Sequence, residues 1–167
     1  MFNRRSLLIL PLVLTACGFT PVYAPGEVGA GLRGKVEVAE PDTVDTYLLV
    51  QNLEERLGRA TQPVYSLSLV LVTATQGLAI TANNETTRYS LIGDVAYSLR
   101  KIDSQDIIAS GNVNNFTGYS ATGSTVETLA SERDARERLM VILADQLTTQ
   151  LYATVDLPVD QPAGQPE

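Results

Sequence analysis

The feature that most constrains the fold is a long alternation of apolar and polar side chains over Thr87–Lys101. Because successive side chains of a β-strand point to opposite faces, a period of two predicts a strand with one buried and one wetter face. Val64–Val72 alternates in the same way. A third strand is expected from Ile107 to about Tyr119. The three segments together predict an antiparallel meander.

Breaks in these patterns predict where the chain turns. Turns are expected at Asn83–Glu85 and at Ile102–Asp106, where small and polar residues separate the alternating segments. Gly111 and Asn114–Asn115 weaken the third strand, and a β-bulge is expected there.

Two further segments have the period of a helix. In the first, at about residues 43–58, Asp42 is the predicted N-cap and Gly58 the predicted end. In the second, Ser124–Glu127 is a capping box, and apolar residues recur at spacings of three and four as far as Leu151. The charged first half of this helix is interpreted as a solvated face with i, i+4 ion pairs.

The order of these elements, with a short first strand at Lys35–Ala39, is β-α-β-β-β-α. It predicts an α+β domain with two helices packed on one face of a small, mostly antiparallel β-sheet.

The composition argues against several classes of function. The chain has no histidine and one cysteine, so no Ser-His-Asp or Cys-His catalytic site can form. No GxGxxG motif or P-loop is present, and no metal or cofactor is expected. With a net charge of −7, the chain is a poor candidate for binding nucleic acid. We expect a binding protein rather than an enzyme.

Three cations stand out in this acidic chain, namely Arg88, Arg100 and Lys101. They accompany hydroxyl-bearing residues that we assign to the wetter face of the predicted sheet, namely Ser66, Ser68, Thr73, Thr75, Thr86, Thr87, Ser90 and Ser98. One interpretation is an ordinary solvated face. The other is a surface that binds an anionic, sugar-rich ligand through charge-assisted hydrogen bonds to phosphate.

The N-terminus predicts export and lipidation. Arg4 and Arg5 precede the apolar run Leu7–Leu14, which is far shorter than the ~20 residues of a membrane-spanning helix. The ending Leu14–Cys17 (LTAC) resembles the bacterial lipobox, in which the cysteine sulfur receives a diacylglycerol and becomes the mature N-terminus. The alternatives are an ordinary signal peptide with an incidental cysteine and a buried core thiol. By the sorting rule of such lipoproteins, Gly18 rather than Asp implies the outer membrane.

Three stretches are distinctive, namely Cys17–Tyr23 (CGFTPVY), the strand Thr87–Leu99, and Ala130–Ala135 (ASERDA) at the start of the last helix. All three resemble the LptE family of lipopolysaccharide-assembly lipoproteins, in its alphaproteobacterial form, and the first stretch is the most specific. The resemblance implies an outer-membrane lipoprotein that helps the β-barrel LptD to assemble, plugs it, and assists lipopolysaccharide delivery to the outer leaflet. An auxiliary lipoprotein of a lipid-transport ABC system is the alternative.

The implied domain organisation has four parts. We expect a lipoprotein signal peptide at 1–16, a lipidated tether at 17–33, the LptE-like α+β domain at 34–153, and a disordered tail at 154–167. The implied partners are an LptD-like barrel, lipopolysaccharide, and the membrane through the lipid on Cys17. The implied location is the periplasmic face of the outer membrane.

Overall fold

The computed structural model describes residues 28–80 and 86–155, which form three helices and four strands. The helices are α1 (Val28–Leu32), α2 (Val44–Leu57) and α3 (Thr125–Thr154). The strands are β1 (Val36–Val38), β2 (Tyr65–Ile80), β3 (Thr86–Lys101) and β4 (Ile107–Ser120). From β1 onward the order is β-α-β-β-β-α, which confirms the predicted α+β class.

The four strands form one sheet in the order β1-β2-β3-β4. β1 pairs in parallel with β2, whereas β2, β3 and β4 form the predicted antiparallel meander, so the sheet is mixed. The parallel pair is possible because α2 carries the chain back across the sheet between β1 and β2. β2 is longer than predicted, because pairing with β3 continues beyond Val72. The predicted turn at Asn83–Glu85 lies outside the described residues.

The bulge predicted near Gly111 is wrong. The register of β3 with β4 runs without a shift from Arg88–Ser120 to Leu99–Ala109, and the irregularity lies next to the Ile102–Asp106 turn. Gly111 pairs with Tyr97, and a Cβ at Gly111 would lie 2.8 Å from the Tyr97 hydroxyl. The tyrosine ring therefore covers the glycine, which keeps the strand regular.

Both long helices begin at capping boxes. The Ser124 box of α3 is confirmed. In α2 the N-cap is Thr43 and not the predicted Asp42, because the Thr43 hydroxyl accepts the N–H of Thr46 at 3.1 Å. The Asp42 carboxylate accepts the Thr46 hydroxyl instead. Gly58 ends α2 as predicted, with a positive φ of 77° that favours glycine.

The core lies between the helices and one face of the sheet, here called the inner face. Odd-numbered residues of β3 and β4 occupy this face, including Val95, Leu99 and Val113. α3 crosses the central strand at Gly93, where a Cβ would lie 2.8 Å from Leu143. The opposite, outer face has no helix on it in the described parts of the chain. The helices of the described region therefore leave this face uncovered, and several of its large apolar side chains are exposed.

The ends of the described region differ from the predicted boundaries. Residues 28–32, assigned to an extended tether, form α1, and Leu32 is fully buried in the core. At the other end, Thr154 belongs to α3 and Val155 is buried. The rest of the predicted tail and the predicted signal peptide lie outside the described residues. Within 28–80 and 86–155, no helix has the length and apolar character needed to cross a membrane.

Candidate functional site

The outer face of the sheet combines polar residues with a central apolar strip. Its polar residues include Ser66, Ser68 and Ser98, which lie where β2 begins and β3 ends. The strip is formed by Val70, Val72, Ile92 and Phe116, which are 64%, 61%, 37% and 66% exposed. The register brings Ile92 directly beside Phe116, while Val72 lies beside Asp94. Large apolar side chains clustered on a solvated face are typical of an interaction surface.

Polar side chains of β3 and β4 border the apolar strip. The side-chain amide nitrogen of Asn112 donates a hydrogen bond to the carboxylate of Asp94, its diagonal neighbour on β3. Asn114, which pairs with Asp94, extends this polar margin. The outer face therefore has an apolar centre beside a row of hydrogen-bonding groups.

The structure separates the three predicted ligand-binding cations. Arg88 pairs with Ser120 near one end of β3, whereas Arg100 pairs with Ser66 near the other end. The twelve residue steps of extended strand from Arg88 to Arg100 correspond to about 40 Å. Lys101 follows Arg100 and therefore points to the opposite face. The three cations do not form one cluster, although the strand predicted from the sequence already implied this separation.

Some of the hydroxyl-bearing residues predicted for the wetter face lie on the outer face, and others lie on the inner face. Ser90 lies on that face but is buried, with 6% exposed. Thr73 and Thr75 lie on the inner face, because they alternate with Val72 and Ala74. The Thr73 hydroxyl donates to Asp45 at 3.2 Å.

A cleft of about 640 Å³ lies beside Arg88, where the end of β3 and β4 meets α3. Tyr89 and Tyr119 stack along it, with ring centroids 5.2 Å apart and planes 15° from parallel. Burial raises the pKa of the Tyr119 hydroxyl, and the nearby Glu132 and Tyr89 act in the same direction. Arg138 brings a second guanidinium to the lining. The cleft thus places two cations next to an aromatic pair.

The two arginines of the cleft have different surroundings. Arg138 forms an ion pair with Asp134 at 3.0 Å and donates to the Gly118 carbonyl at 3.4 Å. For Arg88, no carboxylate of the described residues lies within salt-bridge distance. Sequence reasoning missed Arg138 because it assigned the whole charge run of α3 to solvent. The i, i+4 spacing of Asp134 and Arg138 was the available signal for an oriented guanidinium.

A second charge cluster ties the helices together. Arg136 donates to both oxygens of Asp45, at 3.0 and 2.7 Å, and to Glu132 at 2.8 Å. Partial burial lowers the pKa of the Arg136 guanidinium. The hydrogen bond to Glu132 and the attraction to Asp45 raise this pKa by more, so the net shift is upward. Because this network joins α2, α3 and β2, we assign it to stability.

Metal and lipid sites are the remaining candidates. In residues 28–80 and 86–155, no three Cys, Asp or Glu side chains lie close enough together to hold a metal ion. Cys17, the predicted lipidation site, lies outside the described residues.

Comparison of the fold with solved structures finds lipoproteins of several bacteria. A candidate lipoprotein of Caulobacter crescentus has a TM-score of 0.62 and 18% identity, covering 75% of this chain and 93% of that one. Rare lipoprotein B of Shewanella oneidensis has a TM-score of 0.56 and 12% identity, covering 72% and 93%. A minor lipoprotein of Acinetobacter baumannii has a TM-score of 0.57 and 18% identity, covering 75% and 97%. At these identities the likeness shows a shared fold.

Sequence comparison assigns the family. No curated protein sequence matches this chain. A family model described as "LptE: Lipopolysaccharide-assembly" matches residues 35–151, which include all four strands, α2 and most of α3. The match covers more than half of the chain and includes the strand and helix motifs of the resemblance, whereas the motif at Cys17–Tyr23 precedes the matched residues. The chain therefore belongs to the LptE family of lipopolysaccharide-assembly lipoproteins, which are associated with the outer membrane.

Proposed function

We propose that this protein is the lipid-anchored partner of an LptD-like outer-membrane β-barrel. It assists assembly of the barrel, plugs its lumen from the periplasmic side, and helps to deliver lipopolysaccharide to the outer leaflet. It acts by binding and is not an enzyme. Family membership supports the role in lipopolysaccharide assembly, and the exposed side chains on the outer face of the sheet support the partnership.

The observation that carries the partnership is the outer face of the sheet. A plug must present a surface that matches the polar interior of a barrel. The serines and asparagines of the outer face supply such a surface, and the exposed Val70, Val72 and Phe116 supply an apolar centre. An apolar centre surrounded by polar groups is the usual anatomy of a protein interface.

Lipid attachment at Cys17 would hold the domain at the membrane. Two or more acyl chains give lasting attachment, because each buried CH₂ contributes ~0.8 kcal/mol. The eleven residues from Cys17 to Val28 span at most about 40 Å if fully extended. The domain would therefore stay close to the membrane surface, within reach of a barrel embedded there.

Lipopolysaccharide carries phosphate groups, so its contacts should involve the cations. We assign Arg88 to such a contact, because it shares a cleft with Arg138 and the two stacked tyrosines. Arginine binds phosphate through two parallel hydrogen bonds, which favours this geometry. Arg100 and Lys101, which point to opposite faces at the far end of the sheet, would each form a separate and weaker contact.

Affinity purification from native membranes tests the partnership. The full-length chain should recover a large outer-membrane β-barrel. Replacing Val70 and Phe116 together by Asp should abolish most of this recovery, because it charges the apolar centre of the outer face. Val126→Asp is the matched control, since Val126 is 76% exposed but lies on α3, away from the sheet.

The outcomes separate the two candidate functions. Recovery of an inner-membrane transporter in place of a barrel would favour the auxiliary role in an ABC system and contradict this proposal. Equal recovery of the barrel by the outer-face variant and the Val126→Asp control would show that another surface makes the contact. Circular dichroism of each variant checks that the fold is intact.

A further inference from the structure

β4 is an edge strand without the protection that edges usually have. It occupies one side of the sheet over Ile107–Ser120 and contains no charged residue and no proline. Natural proteins usually blunt an exposed edge with charges, proline or a covering segment, because unpaired backbone groups recruit other strands. Within residues 28–80 and 86–155, no further strand pairs with β4. In this part of the chain the backbone edge of β4 is therefore open for pairing.

The hydrogen bonds of β4 show which of its residues turn their backbone groups away from the sheet. The N–H of Phe116 bonds to the side chain of the preceding residue at 2.8 Å, and the carbonyl of Gly118 accepts from Arg138 at 3.4 Å. Both residues are even-numbered, and alternate residues of an edge strand direct their N–H and C=O groups outward. Asn112 and Asn114 therefore also point outward. No comparable side-chain bond covers their backbone groups in the described part of the chain.

A channel of about 520 Å³, here called the edge channel, lies beside this open stretch. One wall is β4 at Asn112–Asn114, and the other is the flank of α3, including Gln146 and Thr149. α3 therefore overhangs the edge, in agreement with the bond from Arg138 to the outward carbonyl of Gly118. An added strand would lie about 4.8 Å from β4. It would occupy the edge channel, with α3 above it.

The lining of the edge channel disfavours acidic side chains. Asp145 is the only charged residue among the described residues that line it, and the others carry amides, a hydroxyl or small apolar groups. The Asp145 carboxylate pairs with Arg56 through one oxygen and is 60% exposed, so its other oxygen can accept a further donor. The edge channel therefore fits small neutral side chains or a cation, and it repels a second carboxylate.

A second copy of this chain is a poor occupant of the edge channel. A two-fold axis that pairs β4 antiparallel with β4 of another copy keeps the helices of both copies on the same face of the joined sheet. Paired strands lie about 4.8 Å apart, whereas packed helices need about 8–10 Å between their axes. Because α3 overhangs β4, the two α3 helices would collide. The fitting occupant is therefore a lone strand without a helix above it.

The position of the edge points to the partner that binds the outer face. Phe116 of the apolar strip and Asn112 of its polar border both belong to β4. The outer face therefore continues directly into the open edge, and a chain seated on that face would have its own backbone beside β4. The wall of a closed barrel has no unpaired edge to offer. The added strand must then come from a part of the partner outside its wall.

We propose that an extended, non-acidic segment of the barrel partner adds a strand to β4 at Asn112–Asn114 and lies in the edge channel. The proposal rests on the proposed function, since it names the part of that partner that contacts this domain. In strand addition, backbone hydrogen bonds supply affinity and alternate side chains supply specificity. Alternate side chains of the segment enter the edge channel beneath α3, and the remaining ones extend the outer face.

Hydrogen exchange at single-residue resolution tests the pairing. In the full-length chain alone, the outward amides of Asn112 and Asn114 should exchange as unbonded amides do. In the complex recovered from membranes with the barrel, they should exchange at least about tenfold more slowly, as expected for the gain of one hydrogen bond each. The amide of Val113 points toward β3 and should be protected in both samples.

Two pairs of variants test the contact by recovery of the barrel. Asn114→Pro removes an outward N–H and should lower recovery by up to about tenfold, whereas Asn114→Ala keeps the N–H and should bind as the parent does. Ala153→Trp fills the edge channel from the α3 side and leaves the β4 backbone intact. It should also lower recovery, and Ala153→Ser should not. Circular dichroism checks the fold of each variant, and the Ala153 pair decides if Asn114→Pro does not fold.

The outcomes distinguish this proposal from the proposed function. Recovery of the barrel with Asn112 and Asn114 still unprotected overturns the strand addition and leaves the partnership standing. Failure of the parent chain to recover any barrel overturns both. Protection of the two amides in the isolated chain also overturns the strand addition. Protection that persists on dilution would indicate cover by the same chain, and protection that disappears on dilution would indicate pairing between copies.

Discussion

Adding a side chain at Gly93 should destabilise the fold, because α3 crosses the central strand β3 directly above this residue. A Cβ at this position would lie 2.8 Å from Leu143 and 3.1 Å from Leu139. Both leucines are fully buried, so neither side chain has free space into which it can turn. Gly93→Ala should therefore push the helix and the sheet apart.

The magnitude follows from two opposing terms. Overpacking a full core by one methyl group costs about 1–3 kcal/mol. Replacing glycine by alanine also lowers the conformational entropy of the unfolded chain, which stabilises the folded state by about 0.4–1 kcal/mol. We expect Gly93→Ala to lower the free energy of unfolding by about 1–2 kcal/mol. Leu143→Ala alone should lower it by about 2–5 kcal/mol, the usual cost of truncating a buried leucine.

The double variant is the decisive measurement. Leu143→Ala removes the atom nearest to the new methyl group, so Gly93→Ala should cost little in that background. We expect the two costs to fall short of additivity by about 1–2 kcal/mol, within the range found for residues in contact. Urea unfolding of all four proteins, followed by circular dichroism, gives the four free energies.

Gly118→Ala is the matched control in the neighbouring strand. A Cβ there would lie 3.6 Å from its nearest neighbour, the Tyr89 carbonyl oxygen, which is an ordinary contact. This variant should stay within about 0.5 kcal/mol of the parent protein. Strict additivity of Gly93→Ala and Leu143→Ala, or equal costs of the two Gly→Ala changes, would refute the packing argument.

Three further predictions concern lipidation, ligand binding and pH. Mass spectrometry should find an acylated Cys17 at the N-terminus of the mature protein, and Cys17→Ser should leave an unprocessed or soluble form; an unmodified thiol would contradict the lipobox. Replacing Arg88, Arg100 and Lys101 together by Glu should weaken lipopolysaccharide binding without changing the far-UV circular dichroism, and Arg88→Glu alone should cause most of the loss while Arg100→Glu causes little. Hydrogen bonding to the backbone N–H and the side chain of Ser124 lowers the pKa of Glu127 below its ordinary 4.5, so its ionised form stabilises the fold above that pH. This contribution should disappear as the pH falls through the lowered pKa, and unfolding of Glu127→Gln should lack this part of the pH dependence.

The helices and strands were predictable because their signals are local. Alternation over Thr87–Lys101 and the capping box at Ser124–Glu127 each depend on neighbours a few residues away, and the structure confirms both. The separation of Arg88 from Arg100 was equally implied by a single strand containing both. The error was to group residues by face without counting their distance along the strand.

Other features depended on contacts between residues far apart in the chain. The charged first half of α3 was interpreted as a solvated face, but Arg136 in that half lies 2.7 Å from Asp45 of α2. The stacking of Tyr89 on Tyr119 requires the register of β3 against β4, which a change of one residue would destroy. Local periods determined which residues form each element and which face each residue occupies. Only tertiary packing decided which faces meet, because register and helix crossing are set by the fit of whole surfaces.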